Sequence, residues 1–319
     1  MNTDGFPIQR PHMLPTLPKN QQWLIDGLWA YQAVGIIGGE PKSCKSFLAL
    51  GMAVAVASGK DCLGKHRVPS KGTVLLFAAE DALHIVRKRL EGICAYHQLL
   101  IENLDLWVIT APAIRLDNKE DQRRLEQTVE AIKPTLLVLD PFVRLHRIDE
   151  NLSAAVAPLL AFLRELQRNH GCAIALVHHT KKGGAALRAG QALRGSSEFH
   201  AWGDSNLYLR RIKKQLLLTI EHRAQHSISG VPLELQCSDS KTALIVEQHQ
   251  QLSHTSEQQL ILKTDGERVL EALADFDKPV RARQLREVCR MRSEALLNNL
   301  KTLTNTGQII RENDGWRLA

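Results

Sequence analysis

One stretch restricts the possible folds of this chain more than any other: residues 33–59, AVGIIGGEPKSCKSFLALGMAVAVASG. A short apolar run closes on two glycines, a polar loop follows, and an Ala/Leu/Val-rich segment free of proline then continues to Gly59. That order predicts a buried strand, a tight turn and a helix packed on a sheet. The same unit recurs downstream. Apolar runs at 73–79 (TVLLFAA), 105–110 (DLWVIT), 135–140 (TLLVLD) and 172–179 (CAIALVHH) read as strands. Helical patterns at 81–97, 118–132 and 153–170 separate them, with Pro158 expected at a bend or in the first turn of its helix. Strands alternating with helices predict an α/β fold, a mostly parallel sheet covered on both faces. Beyond residue 200 the rhythm changes to NLYLRR, QLLLTIEHR, PLELQC and TALIV, so the sheet is expected to end in antiparallel hairpins.

The loop between the first strand and its helix has a chemical reading. The pattern G-x-x-x-x-G-K-[ST] is met from Gly39 to Ser46, except that Cys44 stands in place of the second glycine. Loops of this kind aim backbone N–H groups and a helix N-terminus at phosphates. Gly39, Glu40, Pro41, Lys42, Ser43, Cys44, Lys45 and Ser46 are therefore the expected nucleotide-binding loop. Lys45 would neutralise the β- and γ-phosphate oxygens of ATP, and the Ser46 hydroxyl would coordinate Mg²⁺. The alternative is an ordinary glycine-rich turn. If position 44 needs a positive φ, the cysteine β-carbon costs ~1–3 kcal/mol, which a domain tolerates. Cys44 is expected to be an inert small side chain; the alternative is a thiol whose pKa is lowered between a helix N-terminus and Lys45 and which is open to oxidation.

Two acids complete the expected site. Asp140 ends an apolar strand and is placed to hold the Mg²⁺ shell. Pro141 follows it, so a base must come from elsewhere, and Glu80 in LLFAAED ends another strand, where the active sites of open α/β sheets gather. Asp81 is expected to cap the next helix.

Charge and composition bound the partners. Residues 181–223 hold nine Lys/Arg against three Asp/Glu, nearly all of the chain's net charge of +7, which suits a polyanion such as nucleic acid, although a solvated basic face has the same signature. The longest apolar stretch is too short for a membrane span, and the N-terminal residues lack an apolar signal core, so cytoplasmic residence is expected. Six scattered cysteines without a C-x-x-C pair read as reduced thiols. An N-terminal arm is expected at 1–22, a main domain at 23–247, a polar linker at 248–263 and a small domain at 264–319.

GGEPKSCKS, FAAED, LLVLDPFVRLH, LVHHTKK and QALRGSSEF, in that order, resemble the RecA-like hexameric ATPases, most closely the plasmid RepA-type replicative helicase group. The resemblance covers roughly residues 23–247. It implies that Glu80 is the catalytic glutamate and that His179 senses the γ-phosphate, although a plain surface histidine would look the same in sequence. It also implies that the basic segment after His179 grips single-stranded DNA, with Lys181, Lys182 and Arg188 on the phosphates. A homo-oligomeric ring, expected to be a hexamer, would complete each site with an arginine from the neighbouring subunit. Arg223 in EHR matches that position without the usual preceding lysine, and Arg194 is the rival.

Residues 264–319 carry three helical patterns and then QIIRENDGWRL, two short strands about a turn, the layout of a winged helix-turn-helix. Ile309, Ile310, Trp316 and Leu318 are expected to pack the hairpin onto the helices. Its ten basic and nine acidic residues leave duplex DNA and protein both open as partners. Three functions fit: a DNA-tracking helicase, a non-translocating DNA-binding ATPase such as a loader or repair accessory, and an ATP-gated regulator.

Overall fold

The computed structural model describes residues 6, 8–14, 16–18, 21–179, 198–212, 214–223, 225–238, 240–247, 265–274, 276, 279–289, 293–312 and 315–319. The chain divides into two compact units, residues 1–248 and 249–319.

In chain order the first unit contains β1 (Trp23–Ile25), β2 (Trp29–Ala30), β3 (Val34–Gly39), α1 (Lys45–Ser58), β4 (Val74–Ala78), α2 (Leu83–Tyr96), β5 (Leu106–Val108) and α3 (Lys119–Ile132). It continues with β6 (Leu136–Asp140), α4 (Ser153–His170), β7 (Ala173–His179), α5 (Glu198–Trp202), β8 (Ser205–Ile212), β9 (Gln215–His222), β10 (Gln225–Ser238) and β11 (Lys241–Val246). Nine strands form one sheet in the order β11-β10-β9-β8-β3-β7-β6-β4-β5. From β8 to β5 every pairing is parallel, while β8, β9, β10 and β11 pair antiparallel. This is the expected α/β core, mostly parallel with hairpins at one end.

The period-2 alternation of the strands divides the core in two. Leu136 and Val138 of β6 point to one side, into a cluster with Leu48 and Met52 of α1 and Val86, Leu90 and Ile93 of α2. Leu137 and Leu139 point to the other, against Leu125 and Val129 of α3 and Leu159 and Leu163 of α4. Continuous apolar runs such as LLVL follow from burial on both faces. Helix α1 is buried on nearly every side, which explains its lack of a polar stripe. It ends at Gly59, whose φ of +77° closes the helix through an N–H bond to Ala55 O.

Pro158 lies inside α4, beyond the first turn. Pro158 and Ala154, whose carbonyl loses its helical donor, are both exposed, so water can take that acceptor. No helix among the described residues is long and apolar enough to cross a membrane.

The second unit contains α6 (Asp265–Ala274), α7 (Ala282–Cys289), α8 (Ser293–Asn305) and an antiparallel hairpin of β12 (Ile309–Glu312) and β13 (Gly315–Leu318). Val269, Leu273, Leu285, Leu296, Leu300 and Ile309 form its core, with Trp316 packed against it. Ile310 and Leu318 depart from expectation, each being 37% exposed. Alternation along β12 turns Ile310 away from the face that buries Ile309.

Candidate nucleotide site

The sheet order decides which residues meet. Strand β3 delivers the glycine loop, β7 lies beside it, β6 is next and β4 follows. The registers pair Gly39 with His179 and Ala78 with Asp140, so the strand ends carrying the loop, His179, Asp140 and Glu80 lie along one edge. Residues from four separate segments are thereby collected where β3 gives way to α1.

The loop itself is tight. A β-carbon on Gly39 would lie 2.6 Å from both Leu209 O and Ser43 Oγ, so only glycine fits there. Cys44 is the N-cap of α1 and has φ +65°, ψ +21°, a left-handed conformation; Lys42, at φ +63°, shares it. The cysteine therefore carries the strain expected of a β-carbon at this position. Relieving it with Cys44→Gly gains ~1–2 kcal/mol, against ~0.4–1 kcal/mol from the freer unfolded chain. The expected result in thermal denaturation is a melting temperature equal to or above that of the parent.

Electrostatics at the loop are set by burial. Lys45 is 5% exposed, and its Nζ donates to Glu40 O at 2.7 Å. Burial lowers its pKa, and Asp140 and Glu80 resist that shift. The Cys44 thiol agrees with the inert reading and not with its alternative. Burial raises its pKa, and the Arg211 guanidinium, hydrogen-bonded to it from β8, only partly opposes the rise. Desolvation of a half-buried thiolate outweighs Arg211 and Lys45, so the thiol is held protonated.

Asp140 is 8% exposed and hydrogen-bonded to the Ser46 side chain, the pair expected to hold Mg²⁺. Burial pushes its carboxyl up to about 6; Asp81 and Glu80 add to the rise, while Ser46 and Lys45 oppose it. The folded chain thus holds this proton to higher pH than the unfolded chain does. The contribution of this carboxyl to the stability of the nucleotide-free protein falls as pH rises from about 4 to about 6 and stays at the lower level above that. The shift corresponds to roughly 2–3 kcal/mol. Asp140→Asn is expected to be more stable than the parent to urea at about pH 8, with the difference vanishing near pH 4.

Other residues fall where sequence alone did not put them. Asp81 does not cap α2, whose N-cap is Ala82; it forms an ion pair with Arg89, which also lies over the Phe47 ring. Glu80 is paired with Arg144, Nε to Oε1 3.1 Å. Arg223 lies at the opposite end of the sheet, bonded to Ala201 O at 2.7 Å and paired with Asp204 at 3.2 Å. Lys181, Lys182, Arg188 and Arg194 lie outside the described residues. Arg211 gave no motif signal because it reaches the loop from β8, and Arg144 and Arg89, although close in sequence to Asp140 and Asp81, belong to no residue pattern that singles them out.

The residues present fit a magnesium triphosphate. Ser43 Oγ is buried without a hydrogen-bond partner among the described residues, in the loop that also buries Lys45. Among the described residues no cluster of His, Cys, Asp and Glu could hold a metal without further ligands. Ser46 and Asp140 supply two, and phosphate oxygens would supply others.

A family model described as an AAA domain matches residues 8–185, more than half of the chain. Among solved structures, a KaiC-like protein from the hyperthermophilic archaeon Pyrococcus horikoshii OT3 is similar at 15% identity, with a TM-score of 0.47 over 70% of this chain and 94% of that one.

Proposed function

The chain belongs to the AAA domain family, and from that premise we propose that it is a DNA-acting motor ATPase, a replicative-type helicase of a plasmid or other mobile element. The observation that carries the proposal is the meeting of Lys45, Ser46, Asp140, His179 and Glu80 at one sheet edge, beyond a loop that admits only glycine at position 39. Lys45 and the loop N–H groups hold the phosphates. Ser46 and Asp140 hold Mg²⁺, which when bound offsets charge on the phosphate oxygens. Glu80 accepts the proton of the attacking water, and His179 contacts the γ-phosphate.

Arg223 sits at the far end of the sheet from its own loop. That placement supports a role in a neighbouring subunit's site, hence a ring. The basic segment from Lys181 to Arg188 follows directly on β7 in sequence, which supports single-stranded DNA as the partner. The C-terminal unit, with Asn298 and Lys301 exposed on α8, is assigned as a winged helix that contacts duplex DNA or a protein.

Strand displacement on a forked duplex tests the proposal. ATP-dependent unwinding that disappears in Lys45→Ala supports it. ATPase stimulated by single strands without unwinding indicates a loader or repair accessory. Sequence-specific duplex binding with negligible turnover indicates an ATP-gated regulator.

A further inference from the structure

Cys44 is the position where the loop departs from its glycine pattern, and its left-handed backbone makes the cysteine costly. Arg211 meets its side chain, and the sheet explains how. Gly39 pairs with Leu209 of β8, and a β-carbon at Gly39 would lie 2.6 Å from Leu209 O, so β8 passes directly beside the start of the loop. Arg211 stands two residues further along β8 and therefore lies on the same face as Leu207 and Leu209, the face that α1 covers. There its guanidinium reaches the Cys44 thiol. Its other acceptor among the described residues is Lys214 O, at 3.3 Å. The described ion pairs give Arg87, Arg89, Arg144, Arg164 and Arg223 a carboxylate each, and Arg211 none. A guanidinium has five N–H donors, so most of those on Arg211 are unspent. The side chain is exposed, as is Lys42 in the loop itself.

We infer that Cys44 is a positioning residue that aims Arg211 at the nucleotide, the guanidinium keeping the thiol through one N–H and giving others to phosphate oxygens. The inference rests on the reading of the loop as the nucleotide site. A protonated thiol is a weak, uncharged acceptor, so it orients a guanidinium without neutralising it; a carboxylate in its place would do both. The planar fork of arginine suits two phosphate oxygens at once. Ser43 Oγ, buried and without a partner among the described residues, and the buried Lys45 belong to the same loop. An entering polyphosphate therefore meets Lys45 from within the loop and Arg211 from the β8 side. Holding the side chain in advance spares rotamer freedom that an exposed arginine otherwise loses on binding. A cysteine at a strained position thereby does what glycine cannot.

The test measures the Kd of a non-hydrolysable ATP analogue with Mg²⁺ for the full chain, in the parent, Arg211→Ala, Arg211→Lys, Cys44→Gly, the variant carrying both Cys44→Gly and Arg211→Ala, and Lys45→Ala. Arg211→Ala is expected to weaken binding by about five- to twentyfold, the scale of one charge-assisted contact from an exposed residue. Arg211→Lys should recover only part of the affinity. Cys44→Gly should weaken binding by about two- to fivefold. That loss should vanish once Arg211 is absent, because the thiol acts through the guanidinium. A merely structural cysteine would give the same change in both backgrounds. Lys45-dependent binding with Arg211→Ala within about twofold of the parent overturns the inference alone. So does an equal effect of Cys44→Gly with and without Arg211. Absence of Lys45-dependent binding in the parent overturns the nucleotide reading and the inference with it.

Discussion

Lys45→Ala is expected to lower kcat/KM for ATP by on the order of 10²–10³-fold or more, the scale of losing one preorganised electrostatic contact to a transition state. The size follows from where the ammonium sits. Lys45 is 5% exposed, and its Nζ spends one donor on Glu40 O, leaving two directed to whatever enters the loop. In so dry a site a charge interacts more strongly than it would in water. Binding should suffer because the ammonium meets phosphate oxygens in the ground state, and turnover because that contact strengthens as charge develops in the transition state. Measured KM and kcat should therefore move together. An unchanged kcat/KM would mean that the loop does not hold the reacting phosphates.

Glu80→Gln is expected to separate those two quantities. The amide keeps the size of the side chain but cannot take a proton, so kcat should fall by about 10²–10⁴-fold. Glu80 is 43% exposed and contacts Arg144, and no hydrogen bond joins it to the loop among the described residues. Affinity for MgATP should consequently stay within about threefold of the parent's, a difference of well under 1.4 kcal/mol. A variant that binds and does not turn over also traps the ATP-bound assembly, in which oligomeric state can be measured. Retention of full turnover would move the base elsewhere, and His179 would be the next residue to replace.

Much of this site could be read without coordinates, for identifiable reasons. The run AVGIIGG could only be a buried strand entering a tight turn, and Gly39 proves to be a position where a β-carbon would collide at 2.6 Å. LLVLD read correctly as a strand ending in Asp140 because burial on both faces demands an unbroken apolar run. What escaped was short or distant. Strands β1 and β2 have three and two residues, too few to show a period. Helix α5 has five residues and adjoins the basic segment. The Arg144–Glu80 pair spans 64 residues of sequence, and no local pattern encodes it. The inert reading of Cys44 agrees with its burial, but the Arg211 guanidinium that reaches the thiol from β8 is not revealed by the loop sequence. Ile310 was misassigned through hydrophobicity alone, although the alternation of a two-stranded hairpin could have placed it outward.

The central claim is that a magnesium nucleoside triphosphate binds where β3 gives way to α1. Titration calorimetry of the intact protein with a non-hydrolysable ATP analogue and Mg²⁺ tests it most directly. Saturable binding at one site per chain is expected, weakened by at least about tenfold in Lys45→Ala, a loss of ~1.4 kcal/mol or more. No heat of binding from the folded protein, or binding indifferent to Lys45, would contradict it.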